Sequence, residues 1–174
     1  MAVPGPTSRL VLRELLATDA PFVHALMNDP SFIAHIGDRG VHTLEDARHY
    51  IESGPWTRYA TFGFGLWLLQ LRESGESIGI CGLLKRDALP SPDIGFALRP
   101  EFWSKGYAFE SARAVMDYAA NVLHLPRILA IVSPSNGASI RLLERLGFER
   151  TSAALFSWSG PSSTTAADPE PNHE

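Results

Sequence analysis

Trp103-Ser104-Lys105-Gly106-Tyr107-Ala108 is the segment of this chain best suited to hold an anion. It lies between an apolar run expected to be a strand and a periodic run expected to be a helix. A loop of small residues that feeds a helix N-terminus turns several backbone N–H groups toward one point, where the helix dipole also favours negative charge. Gly106 lets the backbone approach such an anion closely, and Ala108 leaves the first helical turn uncluttered. A pyrophosphate is the ligand that fits. A tight strand-to-helix turn accounts for Gly106 equally well, and Lys105 is as readily a solvated lysine as a phosphate contact. A second junction, Ser135-Asn136-Gly137-Ala138-Ser139, has the same setting, with Asn136 and Ser139 as natural helix caps. Two such junctions in consecutive strand–helix units imply one ligand shared at the carboxyl ends of the strands. Neither is a Walker loop and no Gly-x-Gly-x-x-Gly occurs, so nucleotide hydrolysis and dinucleotide redox chemistry lose ground.

Other reactive residue types carry less. Cys81 sits in an apolar run and reads as core, because an unpaired cysteine is among the most buried residue types. His35, His42 and His49 are evenly spaced, but Ile36-Gly37-Asp38-Arg39-Gly40 breaks any common helix, which argues against a metal site. His24 and His124 read as surface or satisfied histidines. Phe32, Ile33, Ile36, Trp56, Phe62 and Phe64 are candidates for the wall of a substrate pocket, and equally for core.

These residues need a scaffold. Ser8 to Arg13 reads as a first strand, and Thr18 as the cap of a helix whose stripe is Phe22, Val23, Leu26 and Met27, ending near Asp29-Pro30. Thr43 and Asp46 form a capping-box start for a second helix, closed by Gly54-Pro55. Gly65 to Leu71 and Ser77 to Leu84 make a hairpin across Arg72 to Glu76, and Asp93 to Leu98 is a third strand. Ala112, Val115, Met116, Ala119 and Val122 or Leu123 mark a long helix. Ile128 to Val132, apolar throughout, suits a strand buried on both faces. Ile140, Leu142, Leu143 and Leu146 build a last helix, closed by Gly147. The result is a mixed α/β sheet with about four helices.

Composition sets the bounds. The chain has 174 residues, of which 45% are hydrophobic and 20% charged, so one ordinary globular domain is expected. A single cysteine allows no internal disulfide, and no apolar run approaches a membrane span. The N-terminus lacks the pattern of a signal peptide, which points to a cytoplasmic protein. Lys and Arg number 15 against 19 Asp and Glu, a net charge of −4 that gives no basic field for nucleic acid and mildly suits a cationic substrate.

Asp93-Ile94-Gly95-Phe96-Ala97-Leu98, Trp103 to Ala108, Asn136-Gly137-Ala138-Ser139 and Leu146-Gly147-Phe148-Glu149, in that order, resemble the GNAT N-acetyltransferases. Ser8 to Arg13 and Asn28-Asp29-Pro30 fit the branch of ribosomal-protein N-terminal acetyltransferases of the RimJ/RimL kind. The resemblance spans roughly Ser8 to Glu149. It implies an acyl-CoA N-acyltransferase fold, with a mostly antiparallel central sheet, acetyl-CoA as cofactor and an amine as acceptor. Trp103 takes the Gln/Arg position of the family's Q/R-x-x-G-x-G/A loop, with Gly106 and Ala108 at its small positions. Amides from Lys105 to Ala108, with Ser104 and Tyr107 in the same loop, would then hold the CoA pyrophosphate. The strand through Phe96, Ala97 and Leu98 would splay from its neighbour and offer backbone groups to pantetheine and the thioester. Asn136 would bond the pantetheine arm, with Ser139 near the sulfur.

The same resemblance gives the chemistry. Many relatives place a proton-donating Tyr in the last helix; Leu143 takes that place here, which leaves Ser139 as donor or the thiolate leaving unassisted. Asp93 stands where relatives carry an acid that deprotonates the amine through water, although a strand-start carboxylate is the plainer reading. The expected activity is acetyl transfer to a primary amine of a small molecule or a protein N-terminus, with no nucleic-acid or membrane partner. One departure is the C-terminus. The last 24 residues hold eight Ser/Thr, four Ala and three Pro with no Lys or Arg, so the domain is expected over residues 8–158 and a disordered tail over 159–174. Either Phe148 to Trp158 forms a curtailed strand, or the sheet keeps an open edge that a second copy of the chain closes. A non-catalytic acyl-CoA-binding module with an impaired acceptor site is the rival reading.

Overall fold

The computed structural model describes residues 2–161. The fold is α/β, with seven strands in one sheet: β1 (Leu10–Arg13), β2 (Leu66–Leu71), β3 (Ser77–Leu84), β4 (Asp93–Leu98), β5 (Arg127–Ile131), β6 (Glu149–Arg150) and β7 (Leu155–Ser159). Their spatial order is β1-β2-β3-β4-β5-β7-β6. Every neighbouring pair is antiparallel except β4 and β5, which are parallel and meet at one register pair, Asp93 with Leu129. Between β1 and β2 run α1 (Ala20–Met27), α2 (Pro30–His35), α3 (Leu44–Ser53) and α4 (Pro55–Phe62). The helices α5 (Tyr107–Asn121) and α6 (Gly137–Arg145) flank β5 in sequence.

Six α-helices replace the four expected. Pro30 and Pro55, helix ends by sequence pattern, each open a new helix, where the fixed φ and missing N–H are harmless. Asp29 caps the first of these by accepting from the Ser31 N–H at 2.9 Å. Thr18 is not a cap; it lies in a short 3-10 turn, and Asp19 Oδ2 accepts from the Leu16 N–H at 2.7 Å instead. The Thr43–Asp46 capping box forms as read.

Both faces of the sheet are covered. Alternation along β2 sends Trp67 and Leu69 into one core with α5 and Phe156, and Leu66 and Leu68 into another with α1 and α3. That explains why Leu66 to Leu69 are apolar without interruption. β5 breaks the same expectation: Ile128, Leu129 and Ala130 are buried, but Ile131 is 51% exposed because it faces the gap where β4 and β5 part.

The chain beyond Glu149 completes the sheet. β7 pairs with β5 over Arg127–Ile131, and Phe156 is fully buried. Ser159, placed in the expected tail, is the last residue of β7, and the Gly160 N–H donates to the Pro126 carbonyl at 2.9 Å. Residues 162–174 of that tail lie outside the described residues. The final strands whose absence the rival reading supposes are therefore in place. Among the described residues, no helix is long and apolar enough to cross a membrane.

Candidate active site

The parting of β4 and β5 opens a cleft of about 840 Å³. Its first boundary is the loop into α5. Gly106 caps this helix at φ +83°, a left-handed conformation that glycine adopts without steric cost. The backbone N–H groups of Ser104 through Phe109 donate to no protein acceptor among the described residues. They form an electropositive cradle at the mouth of a 15-residue helix. Arg9 braces it from behind: its Nη1 donates to the Lys105 carbonyl at 2.9 Å, and its guanidinium lies 4.2 Å from the Tyr107 ring centre. Glu110 holds Arg9 in turn, through Nε at 2.7 Å.

The second boundary is the free side of β4. The Arg99 N–H donates to the Ile78 carbonyl, so ladder alternation turns Ala97 and Gly95 toward β3. The N–H and C=O of Phe96 therefore point toward β5, which has already diverged. Trp103 indole Nε1 donates to the Leu98 carbonyl at 3.0 Å and ties the loop to the end of this strand.

The third boundary is the start of α6. Asn136 Oδ1 accepts from the Ser139 N–H at 3.3 Å, so Asn136 is a helix cap with its amide NH2 left over. The half-buried Ser139 hydroxyl opens on the cleft. Leu143, at the position considered for a proton donor, is core.

At the far end, Asp93 is 2% exposed, and Arg86 Nε donates to both its oxygens at 3.1 Å. Burial pushes the Asp93 pKa above the usual carboxylate range, and the Arg86 and Arg58 charges oppose that rise without cancelling it. This end is walled by Phe32, Ile36, Tyr50, Arg58 and Arg39.

The cleft thus gathers Asp93, Phe96, Ala97, Leu98, Trp103, Ser104, Gly106, Tyr107, Ala108, Asn136 and Ser139. Lys105 is the exception: its side chain lies outside the lining, with Nζ 5.7 Å from the Phe102 ring centre. Of the six residues considered for a pocket wall, only Phe32 and Ile36 reach the cleft. Trp56 bonds the Leu15 carbonyl, and Phe62 stacks on Phe64. Cys81 is fully buried, its thiol pushed up to about 12 by that burial. His24 pairs with the His42 carbonyl, away from the cleft.

Sequence reasoning missed the arginines. Arg141 and Arg145 lie one helical turn apart on α6 beside the cradle, with Arg145 4.0 Å from the Phe109 ring centre. Their i, i+4 spacing after the Asn136 cap was the available signal. Arg39, Arg58 and Arg86 come from separate elements and carry no shared pattern.

Comparison with known proteins agrees with this geometry. The GNAT acetyltransferase domain family matches residues 9–149. An uncharacterised Bacillus subtilis protein, YkkB, is 31% identical over 160 residues, covering 89% of this chain and 90% of its own. The crystal structure of an acetyltransferase from Agrobacterium tumefaciens superposes with a TM-score of 0.76 at 28% identity, covering 91% of this chain and 95% of that one. RimL, a ribosomal L7/L12 α-N-protein acetyltransferase solved with coenzyme A, shares the fold with a TM-score of 0.77 at 16% identity, over 91% of this chain and 98% of that one. A sheet split beside an unsatisfied helix start, on a chain matched by that family over most of its length, makes this protein a member of the GNAT acetyltransferases.

Proposed function

We propose that the protein transfers the acetyl group of acetyl-CoA to a primary amine of a small molecule or a protein N-terminus. The observation that carries this reading is the row of unsatisfied N–H groups from Ser104 to Phe109, opening on the same cleft as the free edge of β4. The cradle fits a pyrophosphate, with Arg141 and Arg145 adding charge beside it. The gap between β4 and β5 fits an extended amide-bearing arm, which would take up the hydrogen bonds the strands do not make to each other. When bound, acetyl-CoA supplies an activated thioester.

The chain's own residues supply the rest. The Phe96 N–H donates toward the thioester carbonyl oxygen and stabilises the charge that develops there on attack. Asp93 accepts the proton of the incoming amine, directly or through water, and burial fits it for that task by raising its basicity. The Ser139 hydroxyl donates toward the departing sulfur, and the Asn136 NH2 holds the arm at the start of α6. Holding amine and thioester together in a largely apolar cleft supplies much of the rate.

The test is a thermal melt with acetyl-CoA, ATP or NADH, followed by amine-dependent thiol release. At about 100 times its dissociation constant, acetyl-CoA adds roughly 2.7 kcal/mol of stability, so the melting point rises by several degrees with acetyl-CoA alone. Gly106→Glu abolishes that rise by straining the loop, because a side chain is disfavoured at φ +83° and its Cβ would crowd Arg9 Nη2 at 3.2 Å. An equal rise with wild type and variant would put the phosphates elsewhere and sink the reading.

A further inference from the structure

The end of the cleft beyond Asp93 is cationic, although the chain as a whole carries a net charge of −4. Arg39 from the α2–α3 connection, Arg58 from α4 and Arg86 from the β3–β4 connection all line it, together with the Tyr50 ring from α3. Their charges converge: each acts on the Tyr50 hydroxyl, opposing the rise that burial imposes on it. Neither Arg39 nor Arg58 takes part in an ion pair among the described residues. Arg86 bonds Asp93 through Nε alone, which leaves its two terminal nitrogens for another acceptor. The acids here are already engaged, Asp93 by Arg86 and Asp29 by the Ser31 N–H and hydroxyl. The remaining walls are mostly apolar, from Leu26, Met27, Phe32, Ile36 and Leu84, with Ser31 and His35 of α2 beside them.

A polyamine finds no free carboxylate in such a place and meets two unpaired like charges, Arg39 and Arg58, beside a third that Arg86 shares with Asp93. A planar anion finds what it needs, since a guanidinium fork matches carboxylate geometry. We infer that the acyl acceptor is a small amine carrying a carboxylate, an amino acid with an apolar side chain being the simplest case. Arg58, with Arg39 and the free end of Arg86, holds its carboxylate. This rests on the acetyl-transfer reading above and gives that reading an acceptor class. The amine then lies near Asp93, one carbon from the bound anion, and the apolar walls take the side chain. A peptide N-terminus differs in the deciding group, because an amide stands where the carboxylate would be.

The test is thiol release from acetyl-CoA with L-leucine and L-phenylalanine, their carboxamides, and spermidine. The acids are expected to exceed their amides at least tenfold in kcat/KM, with spermidine weakest. Arg58→Gln lowers kcat/KM for the acids, through KM, at least tenfold more than for the amides, which show only the smaller loss in kcat that follows from removing the Arg58 charge near Asp93. Amides that match or exceed the acids, a preference for spermidine, or an equal effect of Arg58→Gln on acids and amides would each overturn the proposal. Should no amine release thiol, the acetyl-transfer reading fails on its own, and the anion site is judged by calorimetry with CoA present. N-acetyl-L-leucine binding more tightly than N-acetyl-L-leucinamide supports the site, whereas equal or absent binding refutes it.

Discussion

Asp93 carries two opposed duties. Removed from water, its carboxylate resists ionisation, and Arg86 offsets only part of that resistance. A proton acceptor must be ionised, so kcat/KM should fall as pH drops through a pKa above the usual carboxylate range. Stability runs the other way. A pKa raised on folding means the stabilising form is the protonated one, fully present below the unfolded value and lost as pH rises through the folded value. Asp93→Asn is therefore expected to cost roughly 10²-fold or more in kcat and to flatten the acid limb of the profile. At pH 8 its melting point should equal or exceed that of wild type, because the Asn amide oxygen can still accept from Arg86. A large drop in melting point with unchanged kcat would make Asp93 a structural residue.

Among the elements, the clearest local encoding is at the strand-to-helix junctions. Gly106 and Asn136 were legible because cap and turn chemistry is written within a few residues, whereas Ser139, also expected as a cap, is the residue inside α6 whose N–H Asn136 caps. Pro30 and Pro55 misled because the same ring that ends one helix is favoured at the first position of the next. A short strand ending at Trp158 was legible from Leu155, Phe156 and Trp158, but its place in the sheet was not, because that depends on the partner β5 rather than on local propensity. The cationic end of the cleft was illegible. Arg39, Tyr50, Arg58 and Arg86 are adjacent only once α2, α3 and α4 have packed over the sheet. The brace behind the cradle is likewise a product of tertiary structure. Burial opposes ionisation of Glu110, but donors from the Thr7 hydroxyl, the Arg9 N–H and guanidinium and the Ser8 hydroxyl hold its pKa below the ordinary range. A depressed pKa contributes stability at neutral pH that is lost as pH falls through the folded value. Glu110→Gln should lower the melting point at pH 7 by a few degrees. It should also weaken acetyl-CoA binding several-fold, because Arg9 then loses its anchor beneath the loop; equal affinity would show that the cradle stands without its brace.

For the whole molecule, the overall charge of −4 is a poor guide to the substrate. Most acidic residues lie outside the cleft, whereas three arginines gather at its end beyond Asp93, where Asp93 and Asp29 are already engaged. The field that a substrate meets is set by that concentration. The sheet has an equally local peculiarity: its parallel step is joined at a single pair, Asp93 with Leu129. Mechanically the domain is then two slabs sharing a seam, with β1 to β4 on one side and β5, β7 and β6 on the other. A cofactor lying in the seam would act as a missing strand and join the slabs. Native-state amide exchange should register this. The Phe96 and Leu98 amides are expected to exchange quickly in the free protein and slowly once acetyl-CoA is bound, and the β5–β7 amides to gain protection with them. Protection confined to the loop at Ser104 to Ala108 would mean that the ligand sits on the seam without closing it.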